Sequence, residues 1–509
     1  MDLVSRTLYN GGHFVGAAQL TGSFNWLWGA SDGSRLQSSA QRGRPKWRRP
    51  SNNWFALDAH GSYMRKISKG LDLPLTGAPE QSISSEFSSQ CVAVLGRDFH
   101  GLKPTMEVAV GDRVRKGQVV LTDKKNPGIQ YTAPAGGEVV EINRGAKRAF
   151  LSLVIRVDDD DAVSFGSHPA EAIGELSRDV VQTQLIESGE WTAFKTRPFS
   201  KVPAKGSVPN SIFVTATDSR PHAPDPNLII SEETGAFNAG VAAISRLTDG
   251  AVFVCMNEHG MFDAEIASAR VERFAGKHPA GLAGTHIHTL DPVSVQKTVW
   301  QINYQDVIAI GHLFLTGELY TTRIISLAGP SVLTPTLVKV RRGADLSALT
   351  DGRLKDGQHR VISGSVLDGF TAADAERYLG RFHTQVAVLE EGTQREFLQF
   401  VMPGTDKYSL TGLFASWILG KKSFDLTTST GGSDRSIIPL GTFERLTPLD
   451  ILPTQLLRAL VVDDVEASIE LGCLELDEDD VALYTFACPG KYEYGPILRT
   501  MLEKIEVEG

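Results

Sequence analysis

The chain has 509 residues, of which 41% are hydrophobic and 22% charged, and its formal net charge is -9. Those proportions suit a folded soluble protein of about three domains, and the acidic balance argues against a nucleic-acid partner. Four cysteines (Cys91, Cys255, Cys473, Cys488) in so long a chain make no disulfide framework, which favours a reducing, cytoplasmic setting.

The first 63 residues differ from the rest. They carry seven Arg/Lys against three Asp, and four of the seven tryptophans (Trp26, Trp28, Trp47, Trp54). "SAQRGRPKWRRPSNN" is basic, polar and interrupted by proline, so residues 1–63 are expected to be a disordered extension. Few acids and many Arg and Ser also suit a transit peptide. The preferred reading is a mis-set start, with Met64 as the true first residue. The longest uncharged run, Thr7 to Ser31, contains five glycines as well as Asn, Gln and His. It is too polar to cross a membrane.

Residues 64–164 read as an N-terminal β domain. Apolar and polar residues alternate over 91–157 between turn signals. Gly111-Asp112 and Gly136-Gly137 are expected at tight turns between strands. The order "V-x-V-G-D-x-V-x-K-G-Q" followed by "A-P-A-G-G-E-V" resembles a lipoyl/biotinyl-type barrel-sandwich hybrid. In carriers of that type a hairpin lysine bears the cofactor, and Lys124 or Lys125 is the candidate. "DKKNPGIQY" nonetheless has a Pro-Gly turn and no Met-Lys-Met, so a plain structural sandwich is preferred.

Residues 165–322 alternate strand and helix patterns. "SIFVTATD" and "GAVFVCMN" read as strands, "TGAFNAGVAAISRLT" between them as a helix, and "QDVIAIGHLF" is a candidate further strand. Strand–helix–strand order predicts parallel pairing, a Rossmann-like sheet by topology. No G-x-G-x-x-G follows a strand, so no dinucleotide site is indicated. Residues 323–390 read as a small β-grasp (SLBB-like) module. Residues 391–509 read as mostly helical, with Thr447 or Asp450 as N-cap of the helix in "TPLDILPTQLLRALVVDDVEASIELG". The run "LELDEDD" reads as a solvated charged face. The fold class is thus multidomain α/β plus β.

Three constellations invite chemistry. "KHPAGLAGTHIH" offers His278, His286 and His288, which could share a metal if His-x-His lay on a strand. His259, Glu258 and Asp291 are further ligand candidates by nearness in sequence, but hydrogen-bonded loop histidines are the preferred reading. "TTSTGGSDR" (427–435) could nest an anion through backbone N–H groups, and is read as an interface loop. Cys488-Pro489, with Cys473 upstream, has the look of an iron–sulfur segment. Two thiolates cannot hold a four-iron cluster, and the bland reading is two buried thiols.

The stretches "KISKGLDLPLTGAPEQSI", "KKNPGIQYTAPAGGEVVEINRGAKR", "KHPAGLAGTHIHTLDPV", "GSDRSIIPLGTFERLTPLDILPTQLLRALVVDD" and "LGCLELDEDDVALYTFACPGKYEYGPILR" together resemble the A subunit of the bacterial sodium-translocating NADH:quinone reductases, over Met64 to Gly509. That family in turn resembles two flavin- and iron–sulfur-bearing subunits, of ion-pumping ferredoxin:NAD oxidoreductases and of respiratory complex I. Where those relatives hold flavin over a glycine-rich loop, this chain has "EWTAFKTRPFSKVP". Phe194, Phe199 and Pro198 replace the glycines there, so the flavin and NADH sites are read as lost. Cys473 and Cys488 are read as remnants of a degenerate cluster domain.

The resemblance implies a peripheral subunit on the cytoplasmic face of the bacterial inner membrane. It would be held by its partners, the B to F subunits, and work on the quinone-reducing side. FMN, FAD, iron centres and NADH would belong to the partners, with ubiquinone as substrate and no tightly bound cofactor in this chain. The isolated chain is expected to be inactive. A quinone needs an apolar wall and donors to its carbonyls. Lys69 and His100 are the candidate donors, and Phe99, Phe397, Phe400 and Met402 the candidate wall. The alternatives are a carrier, a scaffold with no quinone contact, and an active flavin/iron–sulfur subunit.

Overall fold

The computed structural model describes residues 55–57, 63–159, 161–260, 269–393 and 402–508. Most of the expected 1–63 extension lies outside these. Phe55–Leu57 falls inside that stretch and forms a short strand antiparallel to Tyr63–Ile67.

The barrel sandwich is built from two small antiparallel sheets. One runs Cys91–Leu95, Phe150–Asp159, Gly136–Arg144 and Arg113–Val114; the other Pro104–Met106, Val119–Asp123 and Gln130–Thr132. Gly111 is at a turn with φ +96. Gly136-Gly137 is in strand rather than turn, a correction with a steric reason. A Cβ on Gly137 would sit 2.0 Å from the Arg156 carbonyl oxygen, so the glycine permits close pairing of two strands. Lys124 and Lys125 are exposed between Val119–Asp123 and Gln130–Thr132.

The seven-stranded sheet has a parallel core. Ser211–Ala216 lies between Ala251–Asn257 and Val299–Asn303, and Ala269–Gly276 and then Tyr63–Ile67 extend it, all parallel. Lys195–Arg197 closes the opposite edge antiparallel. The inner strands are apolar on both faces because helices cover them. "QDVIAIGHLF", expected as a strand, is in helix Tyr304–Thr316. Asn303 accepts from the Gln305 N–H at its start and Gly317 ends it with φ +75. This helix is buried nearly all round, so its apolar run has no polar face to betray a helical period. It packs on Thr234–Ile244 backbone to backbone: a Cβ on Gly311 would meet the Ala236 oxygen at 1.7 Å.

The six-stranded sheet orders Phe370–Thr371, His359–Ser363, Gln385–Glu390, Thr322–Ala328, Thr336–Arg341 and Ile83–Phe87. Its outer strand Ile83–Phe87 comes from the expected N-terminal β domain, as Tyr63–Ile67 does in the seven-stranded sheet. The first two dozen described residues from Tyr63 therefore stitch the other two sheets together rather than building their own.

Residues 402–441 are largely irregular, with one short helix at Ala415–Ile418. Five helices follow: Thr442–Leu446, Pro453–Val461, Val465–Glu470, Glu478–Ala487 and Tyr494–Glu508. Neither Thr447 nor Asp450 caps the helix expected there. It begins at Pro453, behind Leu452, and its continuation is a separate helix capped by Asp464. Proline at the first position needs no side-chain acceptor for its missing N–H. Cys473 and Cys488 are buried in the apolar core of these helices.

Candidate functional site

The loop after the strand Cys91–Leu95 turns through a 3-10 turn, Gly96–Asp98. Gly96 lets it press on the backbone of Phe150, whose oxygen would lie 2.2 Å from a Cβ. The next side chains reach in different directions. Asp98 Oδ2 accepts from the Arg381 N–H at 2.9 Å. Phe99 is buried edge-on to Tyr131, ring centres 4.7 Å apart, and also against Phe382. His100 has its Nε2 3.6 Å from Glu478 Oε1, and its side chain is 24% exposed.

Behind Asp98 is a charge cluster that joins Glu190 and Asp306, from the domain of the seven-stranded sheet, to Arg323, Arg342 and Arg381, in and beside the six-stranded one. Glu190 pairs with Arg342 at 2.8 Å and Arg381 at 3.1 Å. Asp306 pairs with Arg381 and Arg323. Burial would raise the Asp306 carboxyl, but Arg323, Arg381 and Arg342 hold it below its ordinary range. Burial pushes Asp98 up to about 6. A cavity of about 40 Å³ between Phe99, Tyr131, Asp98, Arg342 and Arg381 has room for a little water. Ligand pockets run to about 300 Å³ and more, so a quinone ring does not fit it.

Behind His100 is a second cluster, made by the run expected to be a solvated face. Asp477 and Asp480 are buried, and Asp477, Glu478, Asp479 and Asp480 form the first turn of helix Glu478–Ala487 and its N-cap. The Asp477 N–H donates to Asp480 Oδ2 at 2.9 Å, one half of a capping box. Arg197, 0% exposed, donates to Asp480 at 2.7 Å, Asp479 at 3.3 Å and the Glu475 carbonyl at 3.0 Å. Arg220 joins Asp479 (3.0 Å) to Asp368 (2.7 Å). Arg499, on helix Tyr494–Glu508, holds Asp477 at 2.6 Å and both oxygens of Glu478.

Arg197 arrives through "EWTAFKTRPFSKVP". Trp191, Phe194 and Trp300 pack together with ring centres 5.2–5.7 Å apart. After the cis bond Arg197-Pro198, Phe199 and Ser200 take left-handed φ of 77 and 54. That turn delivers the Phe199 carbonyl to Arg499 at 2.7 Å and the Ser200 hydroxyl to Asp477 at 2.6 Å. Buried aromatic rings and side-chain-bearing left-handed residues occupy the segment, which does not fit a phosphate cradle of bare N–H groups.

The electrostatics follow from crowding. Burial, then Asp477, push Glu478 up to about 8. Burial pushes Asp480 up to about 7 despite Arg197. Asp477 is held well below its ordinary range by Arg197 and Arg499, against its burial. Burial and then Arg499 bring His100 down to about 3, so it is a neutral imidazole. His100, Asp477 and Glu478 offer three ligand atoms within 4.8 Å of one another. Arg499 already compensates the charge of those oxygens.

Of the expected quinone residues, Phe99 and His100 share this loop. Lys69 is exposed on a segment tied to Arg445 and His278, and Met402 is 53% exposed near the apolar turn 413–419. Phe397 and Phe400 lie outside the described residues. Sequence spacing does not single out Glu478 and Asp477: Arg499 follows 21–22 residues on, but His100, Arg197 and Ser200 are hundreds of residues away, and only the density of acids in an otherwise helical pattern hints at the cluster.

The histidine set does not converge. His286 and His288 lie on a helix, Ala283–Leu290, where spacing two separates faces. His286 Nε2 faces the Ala280 carbonyl, His278 Nδ1 faces Ser219, and His288 sits between Glu475 (2.6 Å) and the Asp450 N–H. Cys488 Sγ lies 3.2 Å from the Tyr494 hydroxyl, and the potential metal-ligand group found among the described residues contains no cysteine. Two buried thiols do not fit a four-iron cluster. Loop 427–435 stays largely exposed, pinned by Thr428 to Glu391 at 2.6 Å.

Three family models match the chain: the NqrA N-terminal barrel-sandwich hybrid domain over 65–158, the NqrA second alpha/beta domain over 176–319, and the NQRA C-terminal domain over 324–374. Among curated proteins, the A subunit of the Na(+)-translocating NADH-quinone reductase of Marinomonas sp. (strain MWYL1) is 55% identical over 446 residues, 88% of this chain and 100% of that protein. The proteins of the same name from Saccharophagus degradans and Pseudomonas aeruginosa are each 54% identical, again over 88% of this chain and their whole length.

Proposed function

The chain belongs to the A-subunit family of the Na(+)-translocating NADH-quinone reductases, and from that premise we propose that it serves on the quinone-reducing side of the complex, peripherally, at the cytoplasmic face. The B to F subunits supply the flavins, iron centres and NADH site, and ubiquinone is the substrate. The parallel-stranded domain is a Rossmann-like body whose nucleotide loop has become structural, and the helical C-terminal domain a degenerate cluster domain. Filled aromatic packing at Trp191 and Phe194, and the two-thiol content of the helices, support a chain without its own redox group.

The observation that carries the quinone-side reading is His100: a neutral, partly exposed imidazole beside Phe99, backed by carboxyl groups that retain protons near neutrality. Reducing a quinone consumes protons as well as electrons, and His100 offers this loop's donor, while Phe99 is turned inward against Tyr131 and Phe382. The cavity behind Phe99 is too small, so the headgroup is read as lying on the outer side of the loop, against His100. Attachment to the complex is supported by the turn carrying Leu413, Trp417, Ile418 and Leu419, with Trp417 73% exposed. Apolar patches of this kind mark protein interfaces.

A photoreactive quinone, cross-linked in the assembled complex and mapped by mass spectrometry, tests the reading. Label on residues 96–101 is expected; label confined to other subunits would refute it. A purified chain with stoichiometric flavin or iron would restore the electron-carrier alternative.

A further inference from the structure

We propose that Asp477 and Glu478 form a proton-sharing carboxyl pair that feeds, through His100, the quinone oxygen reduced beside this chain. The inference rests on the quinone-side reading above and adds the source of the proton.

The geometry is that of two acids on one cation. Arg499 Nη2 lies 2.6 Å from Asp477 Oδ1 and 2.5 Å from Glu478 Oε2. Oxygens of the two carboxyls also lie within 4.8 Å of each other, so each disfavours ionisation of the other. The wider cluster places Asp218, Asp368, Asp477, Glu478, Asp479 and Asp480 against three guanidiniums, of Arg197, Arg220 and Arg499. Surplus negative charge away from water is neutralised most cheaply by keeping protons. The pair is best described as titrating together, with Glu478 retaining its proton up to about pH 8 and Asp477 ionised.

The groups facing the pair are Arg499 from helix Tyr494–Glu508, Ser200 and Lys195 from the Arg197 segment, Arg197 itself and His100. His100, 24% exposed, meets the pair at its solvent-facing member, Glu478, which is 30% exposed. Its Nε2 faces Glu478 Oε1 at 3.6 Å, a gap of the kind that closes when substrate arrives. The ring's other nitrogen is then left for the substrate. As a neutral imidazole it takes a proton on one nitrogen while releasing one from the other.

The complex delivers two electrons from NADH to the quinone, which needs two protons to become quinol. One O–H bond of the carboxyl pair breaks and an N–H bond forms at His100 Nε2. The Nδ1–H bond breaks and an O–H bond forms on the quinone oxygen. The second proton comes from water, and water later reprotonates the pair. Asp477 and Glu478 act through His100 and are positioning residues.

The test uses the full chain and the assembled complex. Infrared spectroscopy of the full chain should show, beside what Asp480 contributes, a protonated-carboxyl band at pH 7 that fades as pH rises through 8 and is lost in Glu478→Gln. In the complex, Glu478→Gln should slow quinone reduction at least about tenfold and remove the alkaline fall in its rate. His100→Gln should slow it similarly while keeping the carboxyl band, which guards against a Glu478 variant that fails to fold. Absence of the band in the native chain overturns the inference even if quinone labels His100. A band present with no quinone label on the loop leaves the carboxyl pair intact but overturns its role as donor to quinone.

Discussion

Replacing Arg197 by methionine removes a cation shared by Asp477, Asp479 and Asp480, of which Asp477 and Asp480 are buried. The side chain is 0% exposed and donates to Asp480, Asp479 and the Glu475 carbonyl. Methionine fills much of the same volume, so the loss is electrostatic. Breaking a buried pair by deleting one partner costs about 3–5 kcal/mol, because the other charge stays buried and uncompensated. At roughly 2–4 °C per kcal/mol for a unit of 150–250 residues, the transition of the affected part should fall by roughly 6–20 °C. Thermal melts should be read together with limited proteolysis, because a multidomain chain need not unfold in one step. New cleavage is expected between the parallel-stranded domain and the helices. A fall below about 2 °C, with an unchanged digestion pattern, would refute the claim that Arg197 fastens the two parts.

Burial brings His278, His286 and His383 down to about 4, so at these three sites the unfolded chain binds more protons between about pH 6.5 and 4, and their contribution to stability falls as pH drops. The raised carboxyls of Asp98, Glu478 and Asp480 act in the opposite sense and offset part of that loss. His286→Phe should flatten the slope in a urea-midpoint series against pH. At the Gly311 contact, Gly311→Ala forces the backbones of two packed helices apart and should lower the melting point, at a cost of about 1–3 kcal/mol or more. Trp417→Asp should leave the melting temperature of the isolated chain nearly unchanged, since the ring is mostly exposed, yet reduce co-purification with the other subunits; unaltered assembly would remove that turn from the interface.

Much of the fold is legible wherever a local pattern decides it. The inner strands Ser211–Ala216 and Ala251–Asn257, and the helix between them, follow from apolar runs and period. The helix Tyr304–Thr316 does not, because burial on all sides erases amphipathicity and its Val and Ile residues resemble a strand. The strand Ile83–Phe87 joins a sheet built some 250 residues later, which no local window contains. At the site, Phe99 and His100 stand out as an aromatic beside a donor. Their partners do not: the acids of "LELDEDD" look solvated until Arg197, Arg220 and Arg499 are folded onto them, and sequence spacing carries no sign of that.

The Arg197 clasp also bears on biosynthesis. Arg197 and Asp480 are separated by 283 residues, and a ribosome adds about 5–20 residues per second, so Arg197 leaves the tunnel roughly a quarter of a minute to a minute before its acid. The parallel sheet can close early, but the turn at Phe199 and Ser200 gains its hydrogen-bond partners only when the last helices emerge. The nascent protein therefore spends most of its synthesis with a cationic segment awaiting partners, and a message cut short before codon 477 yields a product with that segment permanently unpaired. Such fragments should be recognisable to proteases as incomplete, so that the clasp doubles as a check on whether translation has reached its end.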